Sequence, residues 1–281
     1  MLTLVTGFNG KVGFEVAKQL KAMEMPSKCA VRNVAKAQQQ YGNEFDFTTL
    51  DFSDPETFEE ALEGVEKLFL MYPPGDNIQF DTFLSKSKAK GINYIVYLSV
   101  KDVQFMPFIH HYKNEKLIKK HELPYTFLRA GYFMQNLNDF LKDEIIERNR
   151  IFVPAGKGKT SFVDARDIAK VAAICFSDSN NHTNRTYTLT GSESLDFYEV
   201  AKVMTEVLNK PIQYTNPTVK EFKDFMVAKG MEESFVNVVA GIHFPTKLGL
   251  AKGIKHDIKK VTGHEPINLN TYIQDHKGNW L

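Results

Sequence analysis

The chain has 281 residues, 35 Lys plus Arg against 34 Asp plus Glu, and a formal net charge of +1. That length suits one large α/β domain, alone or with a smaller appendage, and the charge balance excludes long-range attraction to nucleic acid or an anionic membrane. The two cysteines, Cys29 and Cys175, sit in apolar runs without metal-ligand spacing, no apolar run approaches ~18 residues, and the first residues enter a strand without a charged leader. The expectation is a cytoplasmic protein with two buried thiols, no metal and no membrane contact.

The first element is an apolar strand over residues 2–6, followed by Gly7, Phe8, Asn9, Gly10, Lys11, Val12 and Gly13 and then an amphipathic helix over 14–20. A glycine-spaced turn between strand and helix is what a dinucleotide pyrophosphate requires. The first glycine permits the tight turn, the second admits the phosphates to backbone N–H groups, and the third lets the helix pack close to the strand. Strand-like runs recur at 28–32, 45–50, 67–72, 94–100 and 125–129, with helical patterns at 55–62 (Asp54 as N-cap), 77–90 and 108–121. Such alternation predicts right-handed βαβ units and a Rossmann-type parallel sheet with helices on both faces. Ligands bind beyond the carboxyl ends of such strands, which singles out Gly7, Arg32, Asp51, Phe52, Met71, Tyr72, Pro73 and Ser99.

After Gly131 the pattern is mostly helical, at 168–176, 197–208, 219–229, 232–243 and 254–261, broken by extended runs at 150–154, 160–165 and 185–189. The expected organisation is a nucleotide-binding core over 1–131 with returns near 160–191, and a smaller, mainly helical substrate-binding lobe over 132–281. No flexible linker separates them, and a cleft between two lobes is the natural substrate site. Asp164 and Asp167 suit a turn and a helix N-terminus.

An NAD-specific site places an acid at the end of the second strand, to bond the ribose 2′-hydroxyl. Here that place holds Arg32, with Lys36 one helical turn later. An Arg can give two parallel hydrogen bonds to a 2′-phosphate, so NADP(H) is favoured over NAD(H); a solvated loop cation is the plain alternative. Asp51 and Phe52 suit the edge and face of an adenine, or an ordinary helix N-cap region.

Several segments together carry a family resemblance: the glycine turn with Thr6; Val31-Arg32-Asn33; Leu123-Pro124-Tyr125-Thr126-Phe127-Leu128-Arg129; Gly131-Tyr132-Phe133-Met134-Gln135-Asn136; Phe162-Val163-Asp164-Ala165-Arg166-Asp167-Ile168-Ala169; and Arg185-Thr186-Tyr187-Thr188-Leu189. In this ordered series the chain resembles the short-chain dehydrogenase/reductase superfamily, specifically its atypical NmrA-like branch. Within that branch it is similar to bacterial NADPH-dependent quinone oxidoreductases and triphenylmethane dye reductases. The superfamily usually works through Tyr-x-x-x-Lys, the Lys lowering the Tyr pKa for proton exchange during hydride transfer. Extended members commonly carry a Glu four residues after the Lys. With Glu115 as that Glu, the Lys place falls on His111 and the Tyr place on Pro107. Letter matches at Tyr112/Lys116 and Tyr198/Lys202 are of a kind that 11 tyrosines in a lysine-rich chain produce by chance. Adopting the first would shift the helix by five residues, about 7.5 Å and about 140°.

His111 is therefore the candidate catalytic residue, orienting substrate or delivering a proton; its neighbour His110 makes a polar helix face the plain alternative. Without Tyr and Lys, reduction of an ordinary ketone or oxidation of a sugar hydroxyl lacks its acid or base. Quinones and cationic dyes drive hydride transfer themselves, so positioning can suffice. The reading is a hydride-transferring reductase of small electron-poor aromatics, with Met106, Tyr132, Phe133, Asn136 and Phe162 lining the acceptor site and Tyr72 and Phe105 as further walls. Two other readings stand beside it: an NmrA-like NADP(H) sensor that regulates a partner protein without turnover, and a nucleotide-sugar epimerase.

Overall fold

The structure, a computed structural model, describes residues 1–73 and 75–281. In its first stretch β1 (Leu2–Val5), α1 (Lys11–Ala22), β2 (Ser27–Val31), α2 (Val34–Tyr41), β3 (Asp46–Thr49), α3 (Thr57–Ala61), β4 (Val65–Met71), α4 (Phe80–Ala89), β5 (Tyr94–Val100), α5 (His110–Lys120) and β6 (Tyr125–Ala130) alternate. There follow β7 (Tyr132–Phe133), α6 (Lys142–Arg148), β8 (Arg150–Ile151), β9 (Thr160–Val163), α7 (Ala165–Ser177), α8 (Ser179–His182), β10 (Arg185–Leu189), β11 (Ser194–Leu195), α9 (Phe197–Leu208), β12 (Gln213–Tyr214), α10 (Val219–Ala228), α11 (Glu233–Lys247), α12 (Asp257–Thr262) and α13 (Leu269–His276).

The chain divides into two units. One comprises Met1–Ala130, Ala165–Leu189 and Asp257–His264. Its seven strands form a parallel sheet in the order β10-β6-β5-β4-β1-β2-β3, the α/β architecture expected from the alternating pattern. The order reverses between β1 and β4, which is where such sheets open a crevice for a ligand. The central strands are mostly apolar on both faces, and their period of two divides their side chains. Leu68, Leu70, Ile95, Tyr97 and Phe127 meet Phe58, Phe83, Leu84 and Ile118 from α3, α4 and α5. Lys67 and Tyr94 point the opposite way to α7: the Lys67 ammonium donates to the Phe176 carbonyl at 2.8 Å, and the Tyr94 ring meets Phe176 edge-on at 6.0 Å.

Several boundaries differ from the pattern, each for a local reason. α1 starts at Lys11, because Gly10 takes the N-cap position. The Asp54 carboxylate accepts from the Glu56 N–H in the turn before α3, while Glu56 itself stands at the N-cap. α4 begins only at Phe80, since Asn77 adopts a left-handed φ of 55°. α11 runs through Pro245 to Lys247; proline removes one backbone bond without ending the helix. The return at Asp257–His264 has no counterpart in the expected organisation. It is held there by the Thr188 N–H, which donates to the Asp257 carboxylate at 2.8 Å.

The other unit comprises Gly131–Asp164, Thr190–His256 and Glu265–Leu281. It holds a small sheet, β11-β9-β7, a two-stranded ladder of β8 and β12, and the helices α6, α9, α10, α11 and α13. Its core gathers Phe197, Met204, Phe222, Tyr272 and Trp280, with the buried Trp280 indole donating to the Leu137 carbonyl at 3.0 Å. Among the described residues no helix is long and apolar enough to cross a membrane.

His243 is enclosed in this core, between the Tyr132 hydroxyl (3.1 Å from Nε2) and the Val239 carbonyl (2.8 Å from Nδ1). Burial pulls its imidazole down from 6.5 to about 4, against the opposing effect of the Val239 carbonyl. Between those pH values the unfolded chain binds a proton that the folded chain refuses. The residue's contribution to stability is therefore full above the upper value, falls as pH drops through the window, and levels off below it. The gap is worth about 3 kcal/mol. Urea unfolding at pH 7 and pH 4 is expected to show that loss in the wild type on top of whatever a His243→Phe variant loses.

Candidate active site

The strand that opens the chain is pinned to β4 before the turn begins. Thr6 donates its N–H to the Phe69 carbonyl at 3.0 Å, and its hydroxyl accepts from the Met71 N–H at 2.9 Å. Gly7 then turns with φ +68°, and a Cβ there would sit 2.8 Å from the Met71 sulfur. The Gly10 N–H closes the turn on the Gly7 carbonyl at 2.9 Å. A Cβ on Gly13 would fall 2.2 Å from that same carbonyl oxygen, so the first turn of α1 lies directly against the loop. With glycine at its N-cap, α1 has no side-chain acceptor over its first N–H groups, an arrangement that suits an anion. Asn9 is exposed and Lys11 half-buried. Phe8 and Val12 point inward, Phe8 meeting Phe14, Phe45 and Phe47 edge-on, which leaves only their backbone for a ligand.

Arg32 follows β2, and Lys36 stands in the first turn of α2, which the Asn33 side chain caps. Both side chains are exposed, and among the described residues no ion pair or hydrogen bond holds the Arg32 guanidinium. Asp51 accepts at one oxygen from the N–H and hydroxyl of Ser53, at 2.9 and 2.7 Å. These bonds, with a smaller contribution from Arg32, hold its carboxyl below the usual range. The Phe52 ring is core, packed with Phe58, Phe80 and Phe83, and its carbonyl accepts from the Gln79 N–H at 2.8 Å. Phe52 lies in the turn that follows β3, and its ring packs into the sheet–helix interface instead of presenting the open face expected for adenine. Met71 at the end of β4, and Tyr72 and Pro73 beyond it, are half-buried. The Tyr72 ring stacks on His110 at 4.7 Å and lies 6.4 Å from His111.

The next interface brings α5 onto β5. Ile95, Tyr97 and Ser99 alternate along one face of the strand; His111, Asn114, Glu115 and Ile118 form one stripe of the helix. The Tyr97 hydroxyl lies 3.0 Å from His111 Nδ1 and accepts from the Asn114 amide at 3.1 Å. The buried Glu115 carboxylate accepts from the Ser99 hydroxyl at 2.7 Å and from Arg129 Nε and Nη2 at 3.0 and 2.7 Å, while Arg129 Nη1 donates to Gln104 at 2.9 Å. Ser99, expected against the cofactor, thus has its hydroxyl committed to Glu115 inside the protein. Burial holds the His111 imidazole below its ordinary value, with Glu115 opposing and His110 reinforcing that effect. Lys116 is exposed over the ring face of Tyr112, 4.7 Å from its centroid; that Tyr–Lys spacing faces away from β5.

The residues expected to line the acceptor site fall into the two units. Met106 is half-buried between β5 and α5, flanked by Phe105 and Phe108, which are 76% and 75% exposed. Tyr132 and Phe162 pair across β7 and β9 in the core of the second unit, with ring centroids 5.2 Å apart. Neither ring offers a free face, because both strands point these side chains inward among Phe197 and His243. Asn136 is buried and hydrogen-bonds the Tyr132 hydroxyl, whereas Phe133 is half-buried.

A profile of the NmrA-like family matches residues 2–273. The chain belongs to the NmrA-like family. An NAD(P)H azoreductase of Xenophilus azovorans is 29% identical to it, over 98% of this chain and 98% of its own length. Two solved structures resemble it over nearly all of both chains. One is a Citrobacter sp. triphenylmethane reductase complexed with NADP(H), 26% identical, covering 97% and 99% with a TM-score of 0.84. The other is an NADPH-dependent quinone oxidoreductase from Escherichia coli, 25% identical, covering 99% and 100% with a TM-score of 0.86.

In this NmrA-like chain the reading of the sequence passed over Tyr97, Asn114 and Arg129. A signal was there: Tyr97 and Ser99 are alternate polar-tipped residues in an otherwise apolar strand, and His111, Asn114 and Glu115 share one helix stripe with Ile118. Polar groups placed on two facing apolar surfaces must satisfy one another. Removing Arg129 would strand a buried carboxylate, so Arg129→Met is expected to cost about 3–5 kcal/mol in urea unfolding. A methyl group at Gly13 meets backbone that cannot step aside. Gly13→Ala is expected to cost about 3 kcal/mol and to abolish the heat of NADPH binding in calorimetry at a temperature where the variant remains folded.

Proposed function

We propose that this protein is an NAD(P)H-dependent oxidoreductase that reduces quinones or related electron-poor aromatic acceptors by hydride transfer. The observation that supports this reading is the α5 stripe facing β5, on which His111 stands at the place where the family resemblance leads a lysine to be expected. Acceptors that spread the incoming electron pair over an aromatic system require no strong acid at the reacting atom. The names of the azoreductase, triphenylmethane reductase and quinone oxidoreductase relatives describe such acceptors.

In this reading the reduced nicotinamide, when bound, supplies the hydride. The chain's own residues hold it: backbone N–H groups of the turn from Phe8 to Val12, apart from that of Gly10, which closes the turn, grip the pyrophosphate, helped by the N-terminus of α1, and the side chains of Asn9 and Lys11 lie beside them. Met71, Tyr72 and Pro73, at the reversal of strand order, border the nicotinamide end. Arg32, which is exposed and has no ion-pair partner among the described residues, takes the 2′-phosphate with Lys36 beside it, so that NADP(H) is preferred over NAD(H). His111 faces the acceptor, and Met106 and Phe105 form its apolar border. The acceptor is a small aromatic molecule.

Purified protein is expected to oxidise NADPH in the presence of quinones and cationic dyes, and its failure across such a panel would overturn the proposal. Arg32→Glu is expected to weaken NADPH binding by about 10- to 100-fold, the worth of a charge-assisted hydrogen bond of about 1.5–3 kcal/mol, while NADH affinity stays unchanged. Calorimetric titration with the two nucleotides checks both statements.

A further inference from the structure

We infer that His111 works as a neutral hydrogen-bond donor through Nε2, and that Tyr97 and Asn114 are positioning residues that hold it in this form. This inference rests on the reductase reading for its role in turnover, but not for the tautomer itself. The Tyr97 hydroxyl is buried at the contact of β5 and α5 and already accepts from the Asn114 amide. Its own proton has one acceptor within reach among the described residues, His111 Nδ1 at 3.0 Å. Were Nδ1 to carry a proton instead, it would point at an oxygen that is already accepting, and the phenolic hydrogen would be left unpaired in the protein interior, a costly arrangement. The imidazole proton therefore resides on Nε2, and no partner for Nε2 occurs among the described residues.

The titratable groups that face this ring are Tyr97 from β5, Tyr72 beyond β4, and His110 and Glu115 on α5 itself. Burial disfavours the charged ring more than Glu115, engaged by Arg129 and Ser99, favours it. In the reduction of a quinone, the hydride that a bound reduced nicotinamide would supply forms a new bond at the acceptor as the donor C–H bond breaks, and an electron pair of the quinone π system moves onto a carbonyl oxygen. Nε2–H stabilises that oxygen by hydrogen bonding and keeps its proton, since surrendering it would require a phenolate at buried Tyr97. The product anion takes its proton from water. The device is electrostatic, a fixed donor aimed at developing charge, and not general acid catalysis.

The test uses full-length, 15N-labelled protein saturated with NADP+, with a naphthoquinone as acceptor in turnover. Long-range proton–nitrogen correlation at neutral pH is expected to show His111 protonated at Nε2 and bare at Nδ1, with that preference lost in Tyr97→Phe. His111→Leu is expected to lower kcat on the order of 100-fold. His111→Gln, whose amide presents an N–H near the Nε2 position, is expected to recover most of that loss. Tyr97→Phe and Asn114→Leu are each expected to lower kcat about tenfold, with the KM for NADPH and the unfolding midpoint near wild type. A ring protonated at Nδ1, or a Gln variant no better than Leu, would overturn the inference while leaving the reductase reading intact. Absence of acceptor-dependent turnover in the wild type would instead strike the reductase reading and with it the role in turnover, the spectrum alone then deciding the tautomer.

Discussion

The structure depends on how closely the first turn of α1 can approach the end of β1. At the reversal of strand order two crossovers diverge, and the space between them is filled by backbone. The Gly7 carbonyl sits where a Cβ of Gly13 would be, and the Met71 side chain sits where a Cβ of Gly7 would be. This contact fixes the helix axis relative to the sheet, and so fixes the direction in which its unpaired N–H groups point. The hydroxyl of Thr6 extends the same constraint to β4 through the Met71 N–H, so that the turn and the segment Met71–Pro73 are placed by one set of bonds. A phosphate site of this kind needs no charged side chain of its own. On the proposed reading, selectivity between nucleotides is left to the exposed cations Arg32 and Lys36 one crossover away, where substitution costs little stability.

A second constraint lies at the β5–α5 contact. Sheet–helix interfaces are normally apolar, and this one is so at Ile95 and Ile118. Toward the carboxyl edge of the sheet it becomes polar, carrying a carboxylate, a guanidinium, two hydroxyls, an amide and an imidazole. Each finds partners there, which turns a costly burial into a rigid one. Glu115 is bound from β5 and β6 at once, through Ser99 and Arg129, so α5 cannot slide or rotate without breaking that set. His111 stands on the same helix, one turn before it. Its orientation is thus set twice, by the ion pair that registers the helix and by the phenol that meets its ring.

Features governed by local periodicity were legible in the sequence. Alternating runs, the glycine turn and the helix stripes depend on neighbours within a few residues, and they delivered the parallel sheet and its order of strands and helices. The direction of individual side chains was less legible. Phe8, Phe52, Tyr132 and Phe162 sit at positions that suggest ligand contact, yet their rings are core. A ring in or just after a strand turns toward a ligand or toward the core according to how the strand and the turn after it pack against elements distant in sequence. The partner of Ser99 was unreadable for the same reason, because Glu115 reaches it only once α5 has docked. Asp257–His264 joins the first unit through a bond to Thr188, a contact across a long stretch of chain with no periodic signature.

The loss of the tyrosine–lysine pair and the presence of the Tyr97–His111 contact bear on each other. A tyrosine that serves as an acid needs a cation beside it, to lower its pKa and carry its charge. Tyr97 has the opposite surroundings: it is buried, its pKa is pushed up, and its neighbours are an amide and an imidazole. It cannot supply a proton to substrate, but a phenol that holds its proton firmly is a reliable donor to Nδ1. The same conditions that remove acid catalysis from this site therefore create a fixed, uncharged N–H at its edge. A donor of that kind lowers the energy of an oxygen gaining charge and leaves the final protonation to solvent, which suffices only when the reduced acceptor is itself a stable anion. On the proposed reading, the chemistry open to this chain narrows to electron-poor aromatics through the surroundings of one buried tyrosine, and the glycine turn has no part in that choice.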